Sequence, residues 1–197
     1  MRKRLTIAKI LIVIMLAAFV ASCATAPKPT EQNIKLPVVT LNSVELPYYT
    51  GWWYFSKKVE PTKGNAGDYG APLGLAFIFD IQNPNPYPVQ LDGFTFTVAF
   101  DGFDLNTVSA PEAQWIPAGK KNQLRVTAMF DARASLLSLL VTGGFKLKET
   151  GMSPWDALEK WWTEAADYTL PIDVKEGSAI FKADSLVKVA TFSATFP

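Results

Sequence analysis

Along most of the chain apolar and polar residues alternate, which is the period of an extended strand whose two faces meet different surroundings. In residues 75–81, Leu75, Phe77, Phe79 and Ile81 fall on one face and Ala76, Ile78 and Asp80 on the other. Residues 94–101 repeat the pattern, with Phe94, Phe96, Val98 and Phe100 facing a core and Thr95, Thr97, Ala99 and Asp101 facing solvent, as half-buried antiparallel strands do. Asp101-Gly102 supplies the positive backbone angles of a tight hairpin. Alternation continues through Leu124, Val126, Ala128 and Phe130, then through Tyr168, Leu170, Ile172 and Val174. Glu176-Gly177-Ser178 predicts a turn leading into two closing strands within 179–196. With 38–46 and 103–108 added, about seven or eight strands and no internal repeat predict an all-β fold, a sandwich of two antiparallel sheets.

Two helical insertions interrupt the strands. Asp131 is placed to cap a short apolar helix over 132–141, which Gly143-Gly144 would stop. Ser153 and Pro154 open a second helix running to about residue 166. At ~100° per residue, Trp155, Leu158, Trp161, Trp162, Ala165 and Ala166 share one arc of about 140°, opposite a face richer in acid than in base. Tryptophan favours bilayer interfaces, so Trp155, Trp161 and Trp162 are candidates for membrane or ligand contact. Packing of the same stripe onto an open end of the sandwich is the alternative, and the acidic polar face favours it. The aromatic run Tyr48, Tyr49, Trp52, Trp53, Tyr54 and Phe55 invites a carbohydrate- or peptide-binding reading, but it also fits ordinary core and edge strand material, with Gly51 marking a bulge or bend. The loop over 60–72 carries Gly64, Gly67 and Gly70 without a phosphate-binding pattern.

The N-terminus departs from this pattern. Arg2, Lys3, Arg4 and Lys9 precede an uncharged apolar stretch over 10–20, the layout of a secretory signal. The uncharged run ends at small residues and Cys23, short of the ~20 residues a membrane-crossing helix needs. Val20-Ala21-Ser22-Cys23 resembles the lipobox of bacterial lipoproteins, in which the cysteine thiol is lipidated and the chain is cut before it. Cys23 is the sole cysteine, so no internal disulfide can use it. The expected organisation is a signal over 1–22, a lipidated tether over 23–34 and a single domain over 35–197. Ala24, where aspartate is absent, resembles the pattern of lipoproteins sent to the outer membrane in diderm bacteria. Cleavage would remove four basic residues and no acidic ones, taking the balance from 19 against 18 to 15 against 18. The mature chain is then mildly acidic and lacks a nucleic-acid footprint; its expected partners are a membrane through Cys23 and an apolar ligand or lipid.

Between two predicted strands stands Asn83-Pro84-Asn85-Pro86-Tyr87-Pro88. Three prolines cannot donate to a ladder and hold their predecessors extended, so sheet pairing stops here. The asparagines can bond backbone groups left unpaired at the strand end. Together with the flanking apolar strands over 77–100, this run resembles the late embryogenesis abundant type 2 family and its WHy (water stress and hypersensitive response) domain, which carries Asn-Pro-Asn after an apolar strand. Weaker likeness extends over 35–197, and the Trp-rich helix departs from it. The resemblance implies an immunoglobulin- or fibronectin III-like sandwich and association with desiccation and other stress. It implies no catalytic residues, and makes Asn83, Pro84, Asn85 and Pro86 a fold signature.

Catalytic chemistry is thinly provided. The chain has no histidine, which removes the commonest general base and the commonest metal ligand. A carboxylate pair or a Ser-Lys dyad of an unrecognised hydrolase needs neither, but no spacing singles one out. Asp92, Asp101 and Asp104 do not match a calcium loop. No cofactor and no metal is expected.

Overall fold

The computed structural model describes residues 27–52 and 71–197. The signal and lipobox, Trp53, Tyr54 and Phe55, and residues 60–70 lie outside the described residues.

Eight strands are described: β1 (Val38–Tyr49), β2 (Pro72–Gln82), β3 (Val89–Phe100), β4 (Phe103–Ala110), β5 (Gln114–Ile116), β6 (Lys121–Asp131), β7 (Ile172–Ala183) and β8 (Leu186–Phe196). One sheet has the order β1-β2-β6; the other runs β4-β3-β7-β8, with the short β5 pairing β3 beyond β4. Every pairing is antiparallel. The fold is thus an antiparallel β-sandwich. Its core is formed where β2 and β6 meet β3 and β7, and it is rich in phenylalanine. Phe77, Phe79, Phe94 and Phe96 interlock with centroids 4.9–5.9 Å apart, mostly edge to face, the arrangement aromatic quadrupoles favour.

Register shifts interrupt the alternation in both sheets. In β3 a register shift between Leu91 and Gly93 lets Val89 and Leu91 share a core with Phe94 and Phe96. The turn expected at Glu176-Gly177-Ser178 is instead a bulge inside β7. Glu176 has φ 51°, the register shifts between Val174 and Gly177, and the strand runs on to Ala183. The extra residue reverses parity, so Ile172, Val174, Ala179 and Phe181 all point inward. Gly177 is required here because a Cβ would lie 2.5 Å from the Phe192 carbonyl oxygen. The true β7–β8 turn is at Asp184, with φ 55°. Thr97 and Ala99, expected to face solvent, are buried. They sit on a strand flanked on both sides, and Thr97 meets Thr107 across the ladder, Oγ1 to Oγ1 at 3.0 Å. The Asp101-Gly102 hairpin forms as expected, with φ 49° and 78°.

Three helices, not two, connect β6 to β7: α1 (Ala132–Thr142), α2 (Gly144–Thr150) and α3 (Pro154–Ala166). Asp131 caps α1 by accepting from the backbone N–H groups of Arg133 and Ala134, and Ser153 caps α3 by accepting from that of Asp156. The glycine pair expected to end the first helix does so at Gly143, but Gly144 starts α2 at once.

The registers define two poles. Val38 and Lys121 both pair with Gln82 at one end, while Tyr49 pairs with Leu73 and Asp131 with Pro72 at the other. Asn83, Asn85 and the β5–β6 loop belong to the first pole. All three helices and the Asp101 hairpin belong to the second. Ten residue steps of β2 separate the poles, ~33 Å at the usual rise of a strand.

Candidate functional site

The Asn-Pro-Asn corner is a buried polar knot. Asn83 and Asn85 are both fully buried, which polar amides tolerate only when bonded. The Asn83 side-chain N–H groups donate to the carbonyls of Tyr87 (2.9 Å), Ile116 (3.1 Å) and Pro117 (3.2 Å). Its Oδ1 accepts from the Asn85 backbone N–H at 3.0 Å and from Asn85 Nδ2 at 2.9 Å. Asn85 then binds the segment that leads into β1. It donates through Nδ2 to the Lys35 carbonyl and accepts through Oδ1 from the Lys35 N–H, each at 2.8 Å, so one side chain imitates a strand partner. Main-chain bonds close the knot, Asn83 N–H to the Lys120 carbonyl and Gly119 N–H to the Asn85 carbonyl, both 2.9 Å.

The same pole holds the approach to β1. The Tyr87 hydroxyl, whose pKa burial raises, donates to Asn33 Oδ1 at 2.8 Å. Asn33 in turn accepts from the Thr30 N–H and donates to the Lys28 carbonyl. Lys188 pairs with Glu31 at 2.7 Å. From Lys28 onward the segment expected as a free tether is a turn docked on the sandwich. Local reasoning assigned the asparagines to a strand end; their bonds to Lys35, Ile116 and Pro117 could not be read from a neighbouring run.

At the opposite pole the tryptophan stripe turns inward. Trp161 and Trp162 are 0% exposed, whereas Trp155 is 38% exposed. Trp161 packs on Phe100 and Phe103, with centroids at 6.1 and 5.5 Å, and its indole N–H donates to Asp101 Oδ2 at 2.7 Å. Trp162 donates to the Ala71 carbonyl at 2.6 Å and lies 6.4 Å from Trp52. Membrane contact through Trp161 and Trp162 is therefore corrected: the apolar arc of α3 closes the open end of the sandwich, and its indole N–H groups find partners within it. Lys160 joins Trp161 on the same Asp101 oxygen at 2.7 Å, and that hydrogen bond raises the lysine pKa.

Asp92, Asp101 and Asp104 are each held by a separate lysine: Asp101 by Lys160, Asp104 by Lys175 and Asp92 by Lys182. Among the described residues no group of three His, Cys, Asp or Glu side chains is placed to hold a metal ion. An apolar ligand between the sheets or beneath α3 would meet the packed rings already described. No described helix is long and apolar enough to cross a membrane.

Asp80, on the outer face of β2, is strongly perturbed. Hydrogen bonds from Lys121 (2.8 Å), Asn42 (3.0 Å) and Gln123 (3.0 Å) hold its pKa down to about 2. A folded-state pKa below the unfolded value means the network stabilises above about pH 4 and loses that contribution as pH falls toward 2. Because Lys121 is half-exposed, screening reduces the gain to about 1–2 kcal/mol. Asp80→Asn is expected to lose that much stability at pH 7, and to flatten the pH dependence of urea unfolding between pH 4 and 2. An unchanged acid slope in the variant would show that Asp80 is not its source.

The late embryogenesis abundant protein family model, type 2, matches residues 79–183, just over half of the chain. A crystal structure of a protein from Archaeoglobus fulgidus is 13% identical, with TM-score 0.41, covering 79% of this chain and 94% of that one. An X-ray structure of a Northeast Structural Genomics Consortium target is 9% identical, with TM-score 0.45, covering 81% and 85%. A solution structure of a late embryogenesis abundant (LEA) protein is 10% identical, with TM-score 0.29, covering 96% and 86%. Among curated proteins there is no match. The matched span runs from Phe79 in β2 through the asparagine knot to the end of β7, and the chain belongs to the late embryogenesis abundant type 2 family.

Proposed function

We propose that this protein is a lipid-anchored, non-enzymatic component of the bacterial cell envelope that protects against desiccation or osmotic stress by means of its folded surface. Family membership supports the non-enzymatic stress role. The anchor rests on Val20-Ala21-Ser22-Cys23 and the single cysteine. The observation that carries the reading furthest is the docking of residues 28–35 on the asparagine pole. Five residue steps separate Cys23 from Lys28, which is ~18 Å of chain at full extension. A lipid on Cys23 would thus hold that pole beside the membrane and turn the helical pole outward.

The test is complementation of a deletion strain. Wild type should restore survival of drying or osmotic shock and fractionate with membranes. Cys23→Ser should be found outside the membrane fraction and fail to restore survival. Equal survival of the deletion and wild-type strains under drying, osmotic and freezing stress would overturn the stress role, and Cys23→Ser in the membrane fraction would overturn the anchor.

A further inference from the structure

The helical pole carries apolar surface that the sandwich does not cover. Helix α1 is apolar around most of its circumference: Leu139 is buried, yet Leu140 is 56% and Val141 82% exposed. Apolar side chains that a fold leaves in water mark a surface for a ligand or partner. Leu140 and Val141 line a cleft of about 390 Å³ together with Leu147, Lys148, Met152 and Pro154. That volume falls within the range of small-molecule sites. Apart from Lys148 the side chains that line it are apolar, and Lys148 has no ion-pair partner among the described residues.

Three occupants would cover such a cleft. A second copy of the chain fits poorly, because stable association takes ~20–30 residues a side, many more than line this cleft. The anchoring membrane fits poorly as well. On the anchoring proposed above, on which this step rests, the cleft lies at the pole ~33 Å along β2 from the lipid-bearing end. A free single-chain fatty acid matches both features, its alkyl chain against Leu140, Val141, Leu147 and Met152 and its carboxylate against Lys148. We propose that the cleft between α1, α2 and the start of α3 binds a single fatty-acid molecule in this orientation.

The probe is laurate below its micellar concentration, titrated calorimetrically into the mature chain from Cys23 onward with Cys23→Ser, so that no attached lipid or detergent competes. Binding at a ratio of one to one is expected. Leu140→Glu with Val141→Glu should weaken it at least tenfold, and because both side chains are largely exposed, thermal unfolding serves as a control for an intact fold. Lys148→Glu should weaken laurate several-fold and strengthen dodecyltrimethylammonium, a reversal that a purely structural lysine would not produce. Absence of saturable laurate binding, unchanged affinity in the double variant, or binding only to phosphatidylglycerol vesicles would each overturn the proposal. None of these outcomes depends on whether Cys23 is lipidated in the cell, so failure of the anchor and failure of the cleft are separable.

Discussion

Asn83→Ala is expected to cost about 3–5 kcal/mol of folding stability, far more than the contact area of one asparagine would suggest. The side chain is fully buried, and its amide satisfies three carbonyls, those of Tyr87, Ile116 and Pro117. Its oxygen satisfies two N–H groups of Asn85. Truncation strands several of these in a site too tightly packed for easy hydration, and each buried unpaired group costs ~1–3 kcal/mol, partly relieved by relaxation. Asn83→Asp tests the same point differently: the acceptor survives, but the donors to three carbonyls are lost and a charge is buried, so the loss should be at least as large. Asn85→Ala should cost less, about 2–3 kcal/mol, since its main external debt is to the main chain of Lys35. Urea denaturation of the three variants checks the order, and a loss below ~1 kcal/mol for Asn83→Ala would mean that the knot is not what secures this pole.

That knot also marks how far the sequence is legible. Three prolines state locally that pairing must end, and the two asparagines state that something there must be bonded. Which groups they bond is a matter of topology: Lys35 is 50 positions from Asn85 and Ile116 is 33 from Asn83. The caps Asp131 and Ser153 were readable because donor and acceptor lie within three residues. The same local signals mislead when two structures share them. Glu176-Gly177 supplies the positive φ and the missing side chain of a turn, but a β-bulge needs both features too, and only the pairing with β3 and β8 decides between them. Gly143-Gly144 reads as a stop, yet a residue that ends one helix can precede the first turn of the next. The exposed side of α1 had a legible signal in the run Leu136-Leu137-Ser138-Leu139-Leu140-Val141, too apolar for a helix with only one buried face. What the sequence could not supply was the cleft itself, because α2 and Met152 complete it and α2 was hidden by the glycine pair.

The second large effect is expected at the opposite pole, where Trp162→Ala should cost about 3–5 kcal/mol and Trp155→Ala less than about 1 kcal/mol. All three tryptophans lie on one arc of α3, so periodicity alone ranks them together. Burial separates them: Trp162 is enclosed and Trp155 is partly in water. Deleting the Trp162 ring opens a cavity where α3 meets Trp52, and it also leaves the Ala71 carbonyl without its 2.6 Å donor. Trp162→Phe divides these contributions, because it retains most of the apolar volume and removes only the N–H. It should cost about 1–2 kcal/mol, the usual penalty for a buried acceptor left unpaired. Denaturant unfolding followed by near-ultraviolet circular dichroism measures stability and ring packing in the same samples. A greater loss for Trp155→Ala than for Trp162→Ala would sink the view that α3 is a packed cap, and would return the stripe to the surface role its spacing first suggested. The predicted order makes α3 a fixed floor for the helical pole, so that the exposed side chains of α1 are left free to meet a ligand.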